Sequence, residues 1–238
     1  MSIETSSTGN DDLSKRLKIL TEEERKEYYG LPPFTNNDRE SFFTLSETEL
    51  GLLTSMRGYL SKSIFILQLG YFKAKKRFFK IVSDNLVIDE NIRYIIKKYF
   101  PRKKKFEYEI TKKTLIGQKK TILRLFSYKT FSEGMDKILD KAKEVVSLDT
   151  NPKYIFTELF RFCHYNCIIL PSYSRMQQII SKVIVEEENR VYDGLLSMIE
   201  KELQDEILQL LTTESNNRYL LTLIKKPAKG FTYKQVVS

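Results

Sequence analysis

Apolar residues recur at three- and four-residue steps along most of the 238-residue chain, the spacing of one buried helical face. In SKSIFILQLGYFKAKKRFF, residues 61–79, Ile64, Leu67, Tyr71, Ala74 and Phe78 keep that rhythm. The first half is apolar nearly all round and predicts a central buried helix; the second half turns basic through Lys73, Lys75, Lys76, Arg77 and Lys80. Capping signals divide the rest. Thr21 with Glu24 makes a capping box, and the helix it opens should end at Gly30 and Pro32-Pro33. A short helix is expected over 36–43, and Ser46 with Glu49 predicts another reaching Arg57. Asp89 caps ENIRYIIKKYF, whose Ile92, Ile95, Ile96 and Phe100 share a face, and Pro101 stops it. A helix over 111–126 turns Leu115, Ile122, Leu123 and Phe126 inward, with Gly117 its weak point. Ser132 is the expected cap of a helix to Val146. Asn151 before Pro152 is a cap with Pro at the first helical position, opening a helix over 152–168. LPSYS, residues 170–174, breaks the chain before a long helix from Ser172 to Glu188, with a continuation to Glu202, and a last helix covers 205–211.

Composition supports an all-α reading. Gly and Pro number nine and six, Trp is absent, and Leu, Ile, Lys and Glu are abundant, which favours helices with short connections over sandwiches or Gly-rich nucleotide folds. SYKTFSEG, residues 127–134, is the expected boundary between two modules. The pattern therefore divides into a mobile, Ser/Thr/Asn/Asp-rich start (1–14), a basic helical module (15–130), a second helical module (131–215) and a basic connection (216–238) that reads as chain cut before a further region. The start lacks the basic and apolar segments of a signal peptide. The longest apolar run, near SIFILQLGYF, is half the roughly 20 residues a membrane span needs. With two cysteines and no disulfide framework, a soluble, cytoplasmic protein without a membrane partner is expected.

Charge then changes the picture. Net charge is +9, and it is segregated: residues 57–129 hold 20 Lys and Arg against 5 Asp and Glu, the remainder 20 against 26. Within YFPRKKKFEYEITKKTLIGQKKTILRLF, residues 99–126, Lys112, Lys113, Lys119, Lys120 and Arg124 have no acidic neighbour in the proposed helix. A solvated face ordinarily mixes both signs at i, i+4 spacing. A helical reading points Lys113, Lys120 and Arg124 outward, with Lys112 and Lys119 flanking the apolar stripe. A polyanion is the implied partner, because each cation placed on a phosphate releases condensed counterions. The phosphate-contact candidates are Arg102, Lys103, Lys104, Lys105, Lys112, Lys113, Lys119, Lys120, Arg124 and Lys182.

The helix, LPSYS break and helix over 152–188 have helix-turn-helix proportions, in which the start of the second helix meets a groove. Ser172, Tyr173, Ser174, Arg175, Gln177 and Gln178 occupy that start and, with Gln118, are the base-reading candidates. Any antiparallel helix pair with a Pro turn has the same outline. Phe156, Leu159, Cys163 and Cys167 fall on one helical stripe, so both cysteines are expected in the core, with His164 beside them and partly exposed. Two Cys and one His give no four-ligand zinc set. The chain shows no Walker loop, no GxGxxG and no sign of converging carboxylates.

Several stretches together resemble the N-terminal region of transposases of the Tn-three family, the replicative bacterial transposons. They are LTEEERKEYYGLPPFTNNDRESFFTLSETEL, its sequel SKSIFILQLGYFKAKKRFF, and NPKYIFTELFRFCHYNCIILPSYSRMQQIISKVIVEEENRVY. The resemblance covers roughly residues 17–235. It implies two consecutive helical DNA-binding modules of helix-turn-helix character that recognise terminal inverted repeats of double-stranded DNA at transposon ends. Catalysis in that family belongs to a later RNase H-like domain with a DDE acid triad and divalent metal. No catalytic residue, cofactor or small-molecule substrate is therefore expected in this chain, and the divalent metal belongs to the missing domain. A bacterial, nucleoid-associated location follows, with a homodimer through C-terminal or missing regions as a candidate assembly. The competing readings are a truncated transposase or regulator that pairs with a full-length one, a stand-alone DNA-binding protein, and a stand-alone nuclease.

Overall fold

The computed structural model describes residues 17–81, 89–102 and 110–210. Among them are ten helices and no strand, one isolated bridge apart: α1 (Glu22–Tyr29), α2 (Asn36–Phe43), α3 (Glu47–Thr54), α4 (Tyr59–Lys75), α5 (Glu90–Tyr99), α6 (Lys112–Leu125), α7 (Phe131–Val146), α8 (Pro152–Tyr165), α9 (Tyr173–Met198) and α10 (Lys201–Leu210). The fold is all-α. The chain forms two compact units, Met1–Ile184 and Val185–Ser238.

Side-chain caps set most helix starts. Thr21, Thr35, Ser46 and Thr130 each close a full capping box with an acid three residues on. Asp89, Thr111 and Asn151 accept backbone N–H bonds at their own helix starts. Each such cap is worth about 1 kcal/mol. The cap of α7 is Thr130, not Ser132, because Glu133 lies three residues after Thr130 and can close the box. Gly117 does not break α6. The central helix runs over Tyr59–Lys75 rather than to residue 79: Lys76 takes a left-handed conformation (φ 51°) that ends it. The last segment likewise breaks after Met198 and resumes at Lys201.

In the first unit, α4 is the axis of one hydrophobic cluster. Residues from Ser63 to Phe72 are all buried, and α2, α5 and α6 lie against them. Gly70 permits the closest approach: a Cβ there would stand 2.2 Å from the Phe43 ring of α2. Burying Glu49 of α3 is compensated by the Lys73 ammonium at 2.8 Å, since a buried carboxylate without a partner would be strongly destabilising.

A second cluster joins α7, α8, the first turns of α9 and the N-terminal segment. Ile138, Ala142, Val145, Ile155, Phe156, Leu159, Met176, Ile180 and Val183 are its interior. Residues 17–29, which the sequence pattern groups with the basic module, pack here. Tyr28 meets the rings of Phe156 and Phe160 edge-on, at 5.1 and 4.9 Å between centroids. Lys153 pairs with Glu24. Arg77, beyond the end of α4, lies 4.5 Å from the Tyr29 ring centroid, and burial lowers the pKa of its guanidinium. A short parallel bridge ties the α6–α7 connection to the α8–α9 connection: the Lys129 N–H donates to the Cys167 carbonyl (2.7 Å) and the Ile169 N–H to the Lys129 carbonyl (3.0 Å). The bridge takes residue 167 out of the helical stripe. Cys167 is therefore half-buried at a positive φ of 50°, while Cys163 is buried and its thiol is pushed up to about 12 by burial.

The second unit holds the rest of α9 and α10. Gln204 donates to the carbonyls of Leu196 and Ile199, both at 2.8 Å, and so fixes the turn between the two helices.

Candidate nucleic-acid interface

α6 is 14 residues long and contains no acid. At 3.6 residues per turn, its residues sort into two faces. Ile122 and Leu123 are buried against the first cluster, with Leu115 half-buried beside them. Opposite them, Lys112, Lys113, Ile116, Gly117, Lys120 and Arg124 are all exposed. Ile116, Lys120, Lys113, Arg124 and Gly117 fall within an arc of roughly 100°.

Two features set this face apart. Lys112 and Lys113 stand in the first turn of α6, where the helix macrodipole is already positive; a cation there costs about 0.3–1 kcal/mol. Neither they nor Lys120 or Arg124 forms an ion pair with a described residue. Several cations elsewhere in the unit are matched: Lys98 with Glu40 and Lys141 with Glu144 at 2.7 Å, Arg39 with Glu90 at 2.5 Å. Lys119 differs from its neighbours. It is half-buried, its ammonium 5.4 Å from the Phe78 ring centroid, so it edges the face rather than standing on it.

Gln118 is not a base-reading residue. It is 4% exposed and points inward. Its Nε2 donates to the Ser61 carbonyl (2.8 Å) and hydroxyl (3.0 Å), and its Oε1 accepts from Gln68 of α4 at 2.6 Å. Ile116, absent from the sequence candidates, takes its place at the surface at 56% exposure. The signal was present in the helical spacing: Ile116 lies one turn from Lys112 and from Lys120, not with Leu115 and Ile122. Arg102 is exposed in the turn after α5, and Lys103, Lys104 and Lys105 lie outside the described residues.

The start of α9 separates its six candidates. Ser172 caps the helix, its Oγ accepting from the Arg175 N–H at 3.3 Å. Ser172, Ser174, Arg175 and Gln178 are exposed, and Arg175 donates to Gln178 Oε1 at 3.0 Å. Tyr173 and Gln177 are engaged internally: the Tyr173 hydroxyl accepts from the N–H groups of Ile19 (3.3 Å) and Leu20 (3.2 Å), and Gln177 donates to the Leu17 carbonyl at 2.7 Å. These two, both half-buried, hold the N-terminal segment on the second cluster. Lys182 is exposed one turn beyond Gln178. The helix lying directly along α8 is α7.

A cavity of about 420 Å³ lies between Tyr28, Lys76, Tyr128 and His164. Its lysines are already occupied: Lys75 donates to the Glu27 carbonyl at 2.9 Å and Lys76 to the Lys73 carbonyl at 3.2 Å. Burial, reinforced by the neighbouring Lys73, lowers the pKa of Lys76.

Fold and surface thus define an all-α protein in which the exposed cations of α6 form no ion pair with a described residue. Residues 19–183 match the family model described as a domain of unknown function, DUF4158, and the chain belongs to that family. The match begins at Ile19 and ends at Val183, the first and last buried residues of the second cluster, and it contains the buried residues of both clusters. No match is found among curated proteins. Among the described residues no helix is long and apolar enough to cross a membrane.

Proposed function

We propose that this chain binds double-stranded DNA at the terminal inverted repeats of a transposon, as the N-terminal region of a DDE-type replicative transposase. The observation that carries the reading is the exposed face of α6. Four cations stand there without acidic partners, two of them against the helix dipole, and a phosphate backbone offsets that arrangement. The resemblance to the Tn-three family supports the transposon-end assignment, as does the occurrence of the DUF4158 domain in transposase-related proteins. Lys112, Lys113, Lys120, Arg124 and Arg102 hold phosphates, with Lys119 at the edge. Ser172, Ser174, Arg175, Gln178 and Lys182 form a second contact region at the start of α9. Catalysis and its divalent metal belong to a domain outside this chain. Two contact regions on one protein raise overall affinity, because the second contact becomes intramolecular.

The test is a titration against duplexes carrying the inverted repeats that bracket the gene and against scrambled duplexes of equal length. The expected result is tighter binding to the repeats. Equal binding to both would defeat the transposon-end reading.

A second reading has its own observation. In the unit Val185–Ser238, Val191, Tyr192, Leu195, Met198, Leu203, Ile207 and Leu208 are exposed. Apolar helix surface of this kind suits pairing with another transposase chain, the behaviour of a regulatory protein. Sedimentation with and without DNA separates the two: a DNA-independent dimer favours the second reading, a monomer that assembles on DNA the first.

A further inference from the structure

α6 carries more than charge. Ile116 is a large aliphatic side chain, 56% exposed, between cations on successive turns. Gly117 stands beside it in mid-helix, and a Cβ built there would meet nothing within 4 Å. Packing therefore does not require glycine at 117, unlike Gly70 and Gly134, where a Cβ would collide with Phe43 and Ile168. Gly51 and Gly194 also face open space, but neither has an unpaired cation at i−4 and i+3. Gly117 has both, Lys113 and Lys120.

A phosphate-only contact needs neither an exposed isoleucine nor a bare backbone. A helix lying in the major groove uses both. The groove admits one α-helix, and thymine is the one base presenting a methyl group there, which apolar side chains contact. Omitting a side chain lets the helix backbone approach the base edges more closely. Lys120, Lys113 and Arg124 stand between Ile116 and Gly117 around the helix, before and after them along it, and their long stems carry the charges out to the phosphates.

We infer that α6 is a major-groove reading helix, in which Ile116 packs on the C5-methyl of a thymine and Gly117 gives the backbone room to enter. The inference rests on the DNA-binding reading and deepens it: it adds a specificity-determining residue to a face otherwise able to hold any duplex. It also moves base reading in the first cluster from the buried Gln118 to its neighbour two positions back.

The experiment selects preferred sites from random duplexes with the full chain. Each thymine of the selected duplex is then replaced singly by deoxyuridine, which removes only the methyl group. The wild-type chain should lose about four-fold in affinity at one or two positions, the worth of one buried methyl. Ile116→Ala should bind more weakly and show no loss at those positions. Gly117→Leu should raise the thermal midpoint, because leucine favours helix over glycine, yet weaken binding by about ten-fold through overpacking of the groove. Deoxyuridine losses that are the same in wild type and Ile116→Ala would overturn the inference, as would Gly117→Leu binding at wild-type strength. Either result leaves salt-dependent duplex binding, and so the broader reading, standing. Absence of binding to any duplex would remove both.

Discussion

α6 and α7 are successive helices of one unit, of 14 and 16 residues, and they treat charge in opposite ways. α7 opens with the Thr130–Glu133 capping box, places an acid in its first turn and a lysine in its last, and pairs Lys141 with Glu144. Every one of those choices favours an isolated helix. α6 has a lone Thr111 cap, lysines in its first turn and no acid at all. Both helices are anchored by buried apolar residues, so each folds. α6 thus lacks the dipole and pairing contributions that α7 keeps, and the proposed phosphate partner is what offsets that loss.

The largest effect should come from removing that face. The triple substitution Lys113→Ala, Lys120→Ala, Arg124→Ala should weaken duplex binding by about a hundred-fold at physiological salt, at about five-fold per lost phosphate contact. The matched triple in α7, Lys137→Ala, Lys141→Ala, Lys143→Ala, should leave it unchanged. Fluorescence anisotropy of a labelled duplex measures both, and equal losses would erase the contrast.

Next comes the inward side of α6. Gln118→Ala leaves the buried Gln68 and the half-buried Ser61 without their partner and should cost about 2 kcal/mol in urea unfolding. DNA affinity measured well below the unfolding midpoint should stay near wild type. A loss of sequence preference with no loss of stability would restore Gln118 as a reading residue.

The caps give a smaller separation. Thr130→Ala should cost α7 about 1 kcal/mol through its box, with no effect on binding. Lys112→Glu should do the reverse at α6, gaining about 0.5 kcal/mol from the dipole while weakening binding. A charge change that raises the thermal midpoint and lowers affinity together would be the sharpest sign of a stability–function exchange.

The smallest effect concerns the thiols. Burial raises Cys163 to about 12 from an ordinary value near 9, so the folded chain favours its neutral form. That contribution to stability is fully present below pH 9 and is lost as pH rises from 9 toward 12. A thiolate-specific reagent at pH 8 should label the half-buried Cys167 first and reach Cys163 only on unfolding; equal rates would contradict the burial of Cys163.

Local chemistry made much of this architecture legible in the sequence. Thr21 with Glu24, Ser46 with Glu49, Asp89, and Asn151 before Pro152 each mark a helix start through atoms only a few residues apart. Ser132 misled because two hydroxyls stand two residues apart, and spacing to Glu133 chooses Thr130. The candidate face of α6 was legible as charge, and its helical period located Lys113, Lys120 and Arg124. Gln118 was not legible, because its partners Ser61 and Gln68 lie 57 and 50 residues away. The internal bonds of Tyr173 and Gln177 were hidden for the same reason: they reach residues 17–20, more than 150 positions back. Polar residues on a helix look alike in sequence, and only the fold decides which ones are spent on the protein itself.

On the proposed reading, the outer face of α6 neutralises DNA phosphates. The most direct test of that claim is the salt dependence of duplex affinity, compared between wild type and the Lys113, Lys120, Arg124 triple alanine variant. Each phosphate contact contributes about 0.9 to the slope of log K against log salt, so the variant's slope should be shallower by about 2.7. Parallel lines for the two proteins would contradict the claim.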